Sequence, residues 1–260
     1  MAKVCLDAGH YGNYNRSPVV PGYYESVRMW KLTELLADEL TARGIHVIKT
    51  RTNQKTDLAL TSRGRKAKGC DLCVSMHSNA ASSESVDYPV AFVPLNGTGT
   101  ALGQKLADCV CSVMETTQKG RTATKRGNNG DYYGVIRGAV SVGVPGIILE
   151  HSFHTNTRAA NWLMSDANLK KLAKAEANCI AEYLGVKDKP AEPEKEKDYL
   201  YMVRVTIDDL NIRSGPGTKY ASKGFIKPGV YRIKSEKGIW LELYSGEGWI
   251  SSKYATKLKK

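Results

Sequence analysis

The stretch Lys3-Val4-Cys5-Leu6-Asp7-Ala8-Gly9-His10 decides how this chain is read. Val4-Cys5-Leu6 is a short apolar run, and a glycine-containing turn follows it at once. A buried strand that breaks in this way leaves its next polar side chain at the C-terminal edge of a sheet. In open α/β sheets that edge is where ligands bind. His10 therefore stands where chemistry is usually found, although a lone turn histidine more commonly has no such role.

Outward from this strand, helices and strands alternate. Residues 11–24 are a loop rich in Tyr, Asn, Gly and Pro. Residues 26–43 have helical spacing on Val27, Trp30, Leu35, Leu36 and Leu40, and Gly44 stops the pattern. A strand is expected at 45–48, a helix at 57–68 closed by Gly69, and an apolar strand at 72–76 that runs into His77-Ser78-Asn79. A short strand at 90–93 and a helix at 99–116 follow. Residues 142–149 then lead into Glu150-His151, and a last helix spans 168–184. This alternation predicts an α/β fold, a mostly parallel sheet with helices on both faces.

Residues 186–198 carry two prolines and dense mixed charge with no apolar period, which predicts an exposed linker. Beyond them, short alternating runs such as Met202-Val203-Arg204-Val205 lie between Gly-Pro turns and predict a small all-β barrel.

Composition narrows the partners. The 260 residues suffice for one large and one small domain. No apolar run approaches the ~18 residues of a membrane helix, so membrane insertion is not expected. Residues 1–10 lack the features of a signal peptide, so the product is expected to be made in the cytoplasm and to leave it by another route. The net charge of +12 is densest at the end: 22 Lys and Arg face 16 Asp and Glu in residues 1–185, against 12 and 5 in residues 199–260. A basic surface suits an anionic partner such as a cell-wall polymer. Nucleic acid is not expected, because no helix-turn-helix, zinc-finger or ribonucleoprotein motif is present. Of the six cysteines, Cys70 and Cys73 have metal-ligand spacing but no second pair, so all six are read as reduced thiols packed as small hydrophobes.

Three strand ends carry histidine or glutamate: His10, His77 and Glu150. Glu25 closes the loop that starts at His10. Two neutral imidazoles and one carboxylate make a catalytic zinc set with an open fourth position. A second carboxylate beside the water would serve as general base. Glu25 and Glu150 can fill these two roles. Glu25 also suits a helix N-terminus, whereas a carboxylate at a buried strand end needs a partner.

The words around these residues resemble the zinc-dependent N-acetylmuramoyl-L-alanine amidase family of the amidase-3 type. They are Asp-Ala-Gly-His at 7–10, Arg63 ahead of Cys-Asp-Leu-Cys-Val-Ser-Met-His-Ser-Asn-Ala at 70–80, and Val-Pro-Gly-Ile-Ile-Leu-Glu-His-Ser-Phe-His-Thr-Asn at 144–156. The resemblance covers about residues 2–185. It implies that His10, Glu25 and His77 hold one Zn2+ and that Glu150 is the catalytic carboxylate. It also implies cleavage of the amide between the lactyl group of N-acetylmuramic acid and the L-alanine of the stem peptide. Two departures stand out. Tyr11 follows His10 where the family usually has glycine, and His151-Ser152-Phe153 replaces a small residue followed by Gly-Phe. Asn79 and His151 are candidate substrate contacts, with a turn role for Asn79 and a supporting role behind the site for His151 as the alternatives. His46 and His154 are read as structural, and Arg63 and Arg137 as ion-paired or solvated rather than wall-binding.

The C-terminal part has its own resemblance. Leu210-Asn211-Ile212-Arg213-Ser214-Gly215-Pro216-Gly217, Gly238-Ile239-Trp240 and Gly248-Trp249-Ile250-Ser251 look like a bacterial SH3-type domain. Such domains commonly bind peptidoglycan peptides. Arg213, Tyr201 and Tyr220 are the candidate wall contacts, and most of Trp240, Trp249, Tyr231 and Tyr244 are assigned to barrel core. The expected layout is a zinc amidase domain at 1–185, the linker at 186–198 and a cell-wall-binding domain at 199–260, with peptidoglycan as partner and a monomer assumed. The layout resembles that of a phage or prophage endolysin, with a bacterial autolysin released by another route as the alternative origin. A zinc peptidase cutting within the stem peptide, or a non-catalytic wall-binding protein, are the alternatives.

Overall fold

In a computed structural model, which describes residues 1–186 and 199–258, the chain divides into two units, Met1–Lys189 and Pro190–Lys260. Residues 187–198, nearly all of the expected linker, lie outside the described residues.

The first unit runs β1 (Lys3–Ala8), α1 (Glu25–Ala42), β2 (His46–Lys49), α2 (Leu60–Arg65), β3 (Leu72–Asn79), β4 (Val90–Phe92) and α3 (Thr100–Met114). It continues with β5 (Arg121–Ala123), a small hairpin of β6 (Arg126–Gly127) and β7 (Gly130–Asp131), α4 (Gly134–Val140), β8 (Gly146–Phe153), α5 (Thr157–Met164) and α6 (Asp166–Tyr183). Six strands form one sheet in the order β2-β1-β3-β8-β4-β5. The first four are mutually parallel. β4 runs antiparallel to β8, and β5 is parallel to β4. The reversal has a simple cause. Only residues 80–89 join β3 to β4, with no helix among them, and a parallel return needs a crossover of a dozen residues or more.

Side chains alternate across these strands and split the core in two. Val4 and Leu6 of β1, Val74 and Met76 of β3, and Ile147 and Leu149 of β8 join one cluster with leucines of α1, α3 and α6. Cys5 and Cys73 face the other way, against Ala67, Cys70, Ala139 and Val144 beside α2 and α4. Helices thus cover both faces. In α1 the buried stripe is Met29, Leu32, Leu36 and Leu40, all fully buried, rather than one through Val27 and Trp30. Each such leucine contributes about 2 kcal/mol by leaving water. Glu25 lies four residues before Met29, on this same inward stripe, so the packing of α1 also aims Glu25 at the sheet. All six cysteines are free. Burial pushes the Cys70 thiol up to about 11, which suits a packing residue.

On the second face α2 and α4 touch backbone to backbone. A Cβ on Gly64 would lie 2.0 Å from the Val135 carbonyl oxygen, and one on Gly138 would lie 2.2 Å from that of Thr61. Gly64→Ala is therefore expected to destabilise the chain by roughly 2–3 kcal/mol, the usual cost of forcing atoms into a packed contact. Denaturant unfolding measures this, and an unchanged midpoint would show that the helices can part freely. The sequence pattern did not reveal α4 or α5, each too short to develop a helical period. Asn156 caps α5 and Ser165 caps α6, each accepting a backbone N–H with its side-chain oxygen.

The second unit is an antiparallel sheet of β9 (Tyr201–Val205), β10 (Leu210–Arg213), β11 (Ser222–Ile226), β12 (Gly229–Lys237), β13 (Trp240–Leu243), β14 (Trp249–Ser251) and β15 (Ala255–Lys257). The strand order is β11-β10-β14-β13-β12-β9-β15. Its core is aliphatic: Val203, Val205, Leu210, Ile226, Ile233, Leu241, Leu243 and Ile250. Trp240 and Trp249 are half-buried and lie outside that core, which corrects the expectation for them. Trp240 alternates with the inward Leu241 and Leu243, so it must face outward. Tyr231 packs against the core from its edge. No helix among the described residues is long and apolar enough to cross a membrane.

Candidate active site

Strand parity gathers the site. Asp7 of β1, Ser75 and His77 of β3, and Ile148 and Glu150 of β8 share one face near the C-terminal ends of parallel strands, and all line a cleft of about 420 Å3. The β3–β8 ladder pairs His77 with Glu150 and then Asn79 with Phe153, so β8 carries one extra residue there. Such a bulge re-aims side chains. Glu150 stays on the cleft ahead of the bulge, and ordinary alternation points His151 into the opposite core. Ser152 absorbs the distortion at φ +60°, a conformation that favours glycine, and its hydroxyl donates to Asp87 at 2.7 Å. This accounts for a glycine-like position being filled by serine.

His10 follows β1 and is also held at positive φ, +54°. Two buried arginines brace its turn. Arg51 donates to the Ala8 carbonyl at 2.7 Å. Arg63 donates to the carbonyls of Ala8 at 3.0 Å and His10 at 3.4 Å, and pairs with Asp57 at 2.9 Å. Arg63 is thus a structural anchor at the cleft floor. Arg137 donates to the carbonyls of Asp131 and Tyr132 and supports the far loop instead.

Glu25 opens α1 and is almost fully buried between the two histidines. Its Oε1 lies 2.8 Å from His77 Nδ1, and its Oε2 lies 3.4 Å from His10 Nε2. The Ser78 N–H and the Asn15 side-chain amide also donate to Glu25, at 3.1 and 2.7 Å. Ser75 donates to Asp7 at 2.6 Å, so its oxygen accepts from His77 Nε2 at 3.1 Å. With Nε2–H donating to Ser75, Nδ1–H donates to Glu25 at 2.8 Å, and a metal ion would take the place of that second proton. The rings of His10 and His77 meet edge to face at 5.1 Å.

One ligand atom from each of His10, Glu25 and His77 lies within 4.8 Å of the others, the one such cluster found among the described residues. Its electrostatics suit a cation. Burial raises the Glu25 carboxyl, but its bonds to His10 and His77 override this and hold it well below the usual carboxylate range. Burial likewise lowers the His77 imidazole, yet the facing Glu25 holds it up at about 9. A pocket that favours a proton on an imidazole favours a metal ion in the proton's place, so the three residues fit a divalent ion with nitrogen and oxygen ligands.

Glu150 is the second carboxylate. Burial dominates and pushes it up to about 7, against the attraction of His77, and its Oε2 has no hydrogen-bond partner. Such an atom is costly unless something unpaired in the free chain is bound there. The folded state keeps this proton between the unfolded value near 4.5 and about 7, so stability falls as pH rises through that window. In chelator-treated protein, Glu150→Gln is expected to remove a loss on the order of 2 kcal/mol between pH 5 and pH 8. Parallel unfolding curves for both proteins at both pH values would mean that Glu150 is not held protonated.

The remaining sequence candidates fall elsewhere. His151 is fully buried. Its Nδ1 donates to the His77 carbonyl at 2.8 Å and its Nε2 faces Glu176 at 2.7 Å, so it supports β3 from behind and does not reach the cleft. Asn79 accepts the Ala80 N–H at 2.8 Å and caps its own turn, outside the cleft lining. His154 is buried against Ser78 and stacks on Tyr23, a structural place. In the second unit Arg213 lines a groove of about 400 Å3 with Asn211, Trp240 and Tyr254. Tyr201 bonds Glu236 beneath Lys257, and Tyr220 covers Gly215; both lie outside the groove lining.

Sequence reasoning missed Asn15, Ser75, Asp7, Tyr14 and Tyr133. Strand parity with His77 and with Cys5 could have found Ser75 and Asp7. The loop residues carry no such signal.

A largely parallel α/β sheet with two imidazoles and two buried glutamates around one cleft is the frame of a hydrolytic enzyme. The chain belongs to the N-acetylmuramoyl-L-alanine amidase family, whose profile matches residues 4–182. These are peptidoglycan amidases. Among relatives, the endolysin of Bacillus phage SPP1 is 27% identical over 197 residues, 74% of this chain and 70% of that protein. The N-acetylmuramoyl-L-alanine amidase CwlM of Bacillus licheniformis is 24% identical over 241 residues, 89% of this chain and 86% of that one. The catalytic domain of the amidase CwlV from Bacillus (Paenibacillus) polymyxa superposes with a TM-score of 0.62 at 22% identity, covering 72% of this chain and all of that one. The amidase AmiC2 of Nostoc punctiforme gives 0.61 at 22%, covering 71% and 97%. At such identity these structures share the fold.

Proposed function

We propose that His10, Glu25 and His77 hold one Zn2+ and that Glu150 is the acid–base residue cleaving the amide between the lactyl group of N-acetylmuramic acid and L-alanine. The observation that carries this is the cluster of three donor atoms within 4.8 Å beside a buried glutamate with a free oxygen. When bound, zinc supplies a water acidic near pH ~7 and a Lewis acid for the scissile carbonyl. The chain does the rest. Asn15 and Ser78 hold the Glu25 carboxylate in place, and Ser75 and Asp7 hold the His77 tautomer. Glu150 takes the proton of the attacking water and returns it to the departing L-alanine nitrogen, so that an acid and an amine are produced. A buried carboxyl on the cleft beside the three donors can take a proton and give it back, which serves both directions of that transfer.

The second unit is read as an SH3-type barrel that holds the enzyme on peptidoglycan. Its excess of basic residues and the groove around Arg213 support this. Tethering raises local substrate concentration, so weak wall contacts suffice. The whole acts as the lytic enzyme of a phage or prophage. Mass analysis of digested sacculi tests the bond: released stem peptides beginning with a free L-alanine amine are expected, and fragments that begin elsewhere would make the chain a peptidase.

A further inference from the structure

The cleft has two unlike sides. Strand order places the loop after β1 on one side of His77, and β8 and β4 on the other. On the β1 side stand Tyr11 and Tyr14, ring centroids 4.7 Å apart and hydroxyls within 3.3 Å of each other. Their loop is firmly held. Ser26 accepts the Tyr14 N–H at 2.9 Å and donates to the Gly12 carbonyl at 2.7 Å, and Gln54 pins Gly12 from the other direction. Tyr14 is half exposed, and both rings line the cleft beside His10. Asp57 also lines this side, paired with the Arg63 guanidinium at 2.9 Å.

The β4 side differs. Tyr133 lines the cleft and packs on Phe92 at 4.7 Å. The Lys125 ammonium lies 3.9 Å from the centre of the Tyr132 ring and 5.8 Å from that of Tyr133, with no carboxylate partner among the described ion pairs. Arg126 follows it, also exposed. Arg137 ties down the loop by donating to the Asp131 and Tyr132 carbonyls at 2.6 and 2.7 Å.

The two halves of the substrate are equally unlike. A pyranose ring offers C–H faces to aromatic rings and hydroxyls to phenols. A stem peptide carries free carboxylates. We propose that the cleft is directional: Tyr11 and Tyr14 seat the glycan on the β1 side, and Lys125 draws the anionic stem peptide along the β4 side. This orientation rests on the amidase reading. Tyr11 is then a specificity residue.

Paired substrates test it in the zinc-loaded full chain. One pair is a disaccharide muropeptide and the same peptide trimmed to its lactyl group. The other is a muropeptide with free or with amidated stem carboxylates. Tyr11→Ala should lose about tenfold more kcat/KM on the sugar-bearing member than on the trimmed one, the size of an aromatic contact. Tyr11→Phe should keep most of the sugar dependence. Lys125→Ala should lose about threefold more on free carboxylates than on amides, as for an exposed ion pair. Equal losses within each pair, or the two dependences exchanged, overturn the orientation while leaving the amidase reading intact, provided that the peptides released begin with L-alanine. Peptides beginning elsewhere overturn the amidase reading and the orientation with it.

Discussion

Glu150→Gln is expected to lower kcat by at least ~100-fold while the protein keeps its zinc, because the amide removes proton transfer and nothing else. The residue lines the cleft on the same face as His77, yet it is not one of the three clustered ligands. Its Oε2 is buried without a partner. A carboxylate so placed can trade a proton with water or with a leaving amine. Gln has the same shape and is neutral, so burial costs no more than for the protonated acid. Folding should survive, and the effect should appear in kcat at unchanged metal content. Normal turnover by Glu150→Gln would take this residue out of the mechanism.

Glu25→Ala is expected to do the opposite: to lose the metal, with affinity down by more than about 100-fold, and to lose activity for that reason. In the proposed site Glu25 would be the sole anionic ligand, and it spans both histidines, at 2.8 and 3.4 Å. Without it the imidazoles lose the group that fixes their separation. Two neutral nitrogens then face a doubly charged ion with no compensating charge. Zinc content by metal analysis at equal folding, judged by circular dichroism, reads this directly. Full occupancy in Glu25→Ala would pass its role to another group. The pair of variants separates the two glutamates: one keeps the ion without turnover, the other loses both.

Much of this could be read before the structure, for local reasons. Val4-Cys5-Leu6 and Ile147-Ile148-Leu149 are continuous apolar runs, as strands buried on two faces must be, and each ends in a site residue. Glu25 was recognisable from its place at a helix start. Its inward aim depends on which face of α1 is buried, and the stripe through Met29, Leu32 and Leu36 sets that. What escaped the sequence depends on distant segments. His151 follows Glu150 directly, so strand alternation alone puts it on the opposite face; the Glu176 that receives it there lies on the distant α6. Arg63 is buried because carbonyls of another turn receive it. Trp240 and Trp249 were assigned to barrel core, while alternation with Leu241 and Ile250 puts them outward.

The central claim is a single metal ion held by side chains from the turn after β1, from α1 and from β3. Diffraction from zinc-loaded crystals at the zinc absorption edge tests it most directly. The account predicts one strong anomalous peak at about 2.0–2.2 Å from His10, His77 and the Glu25 carboxylate, with Glu150 near but not bound. A peak lying elsewhere, or one that takes Glu150 as ligand and leaves Glu25 free, would contradict it.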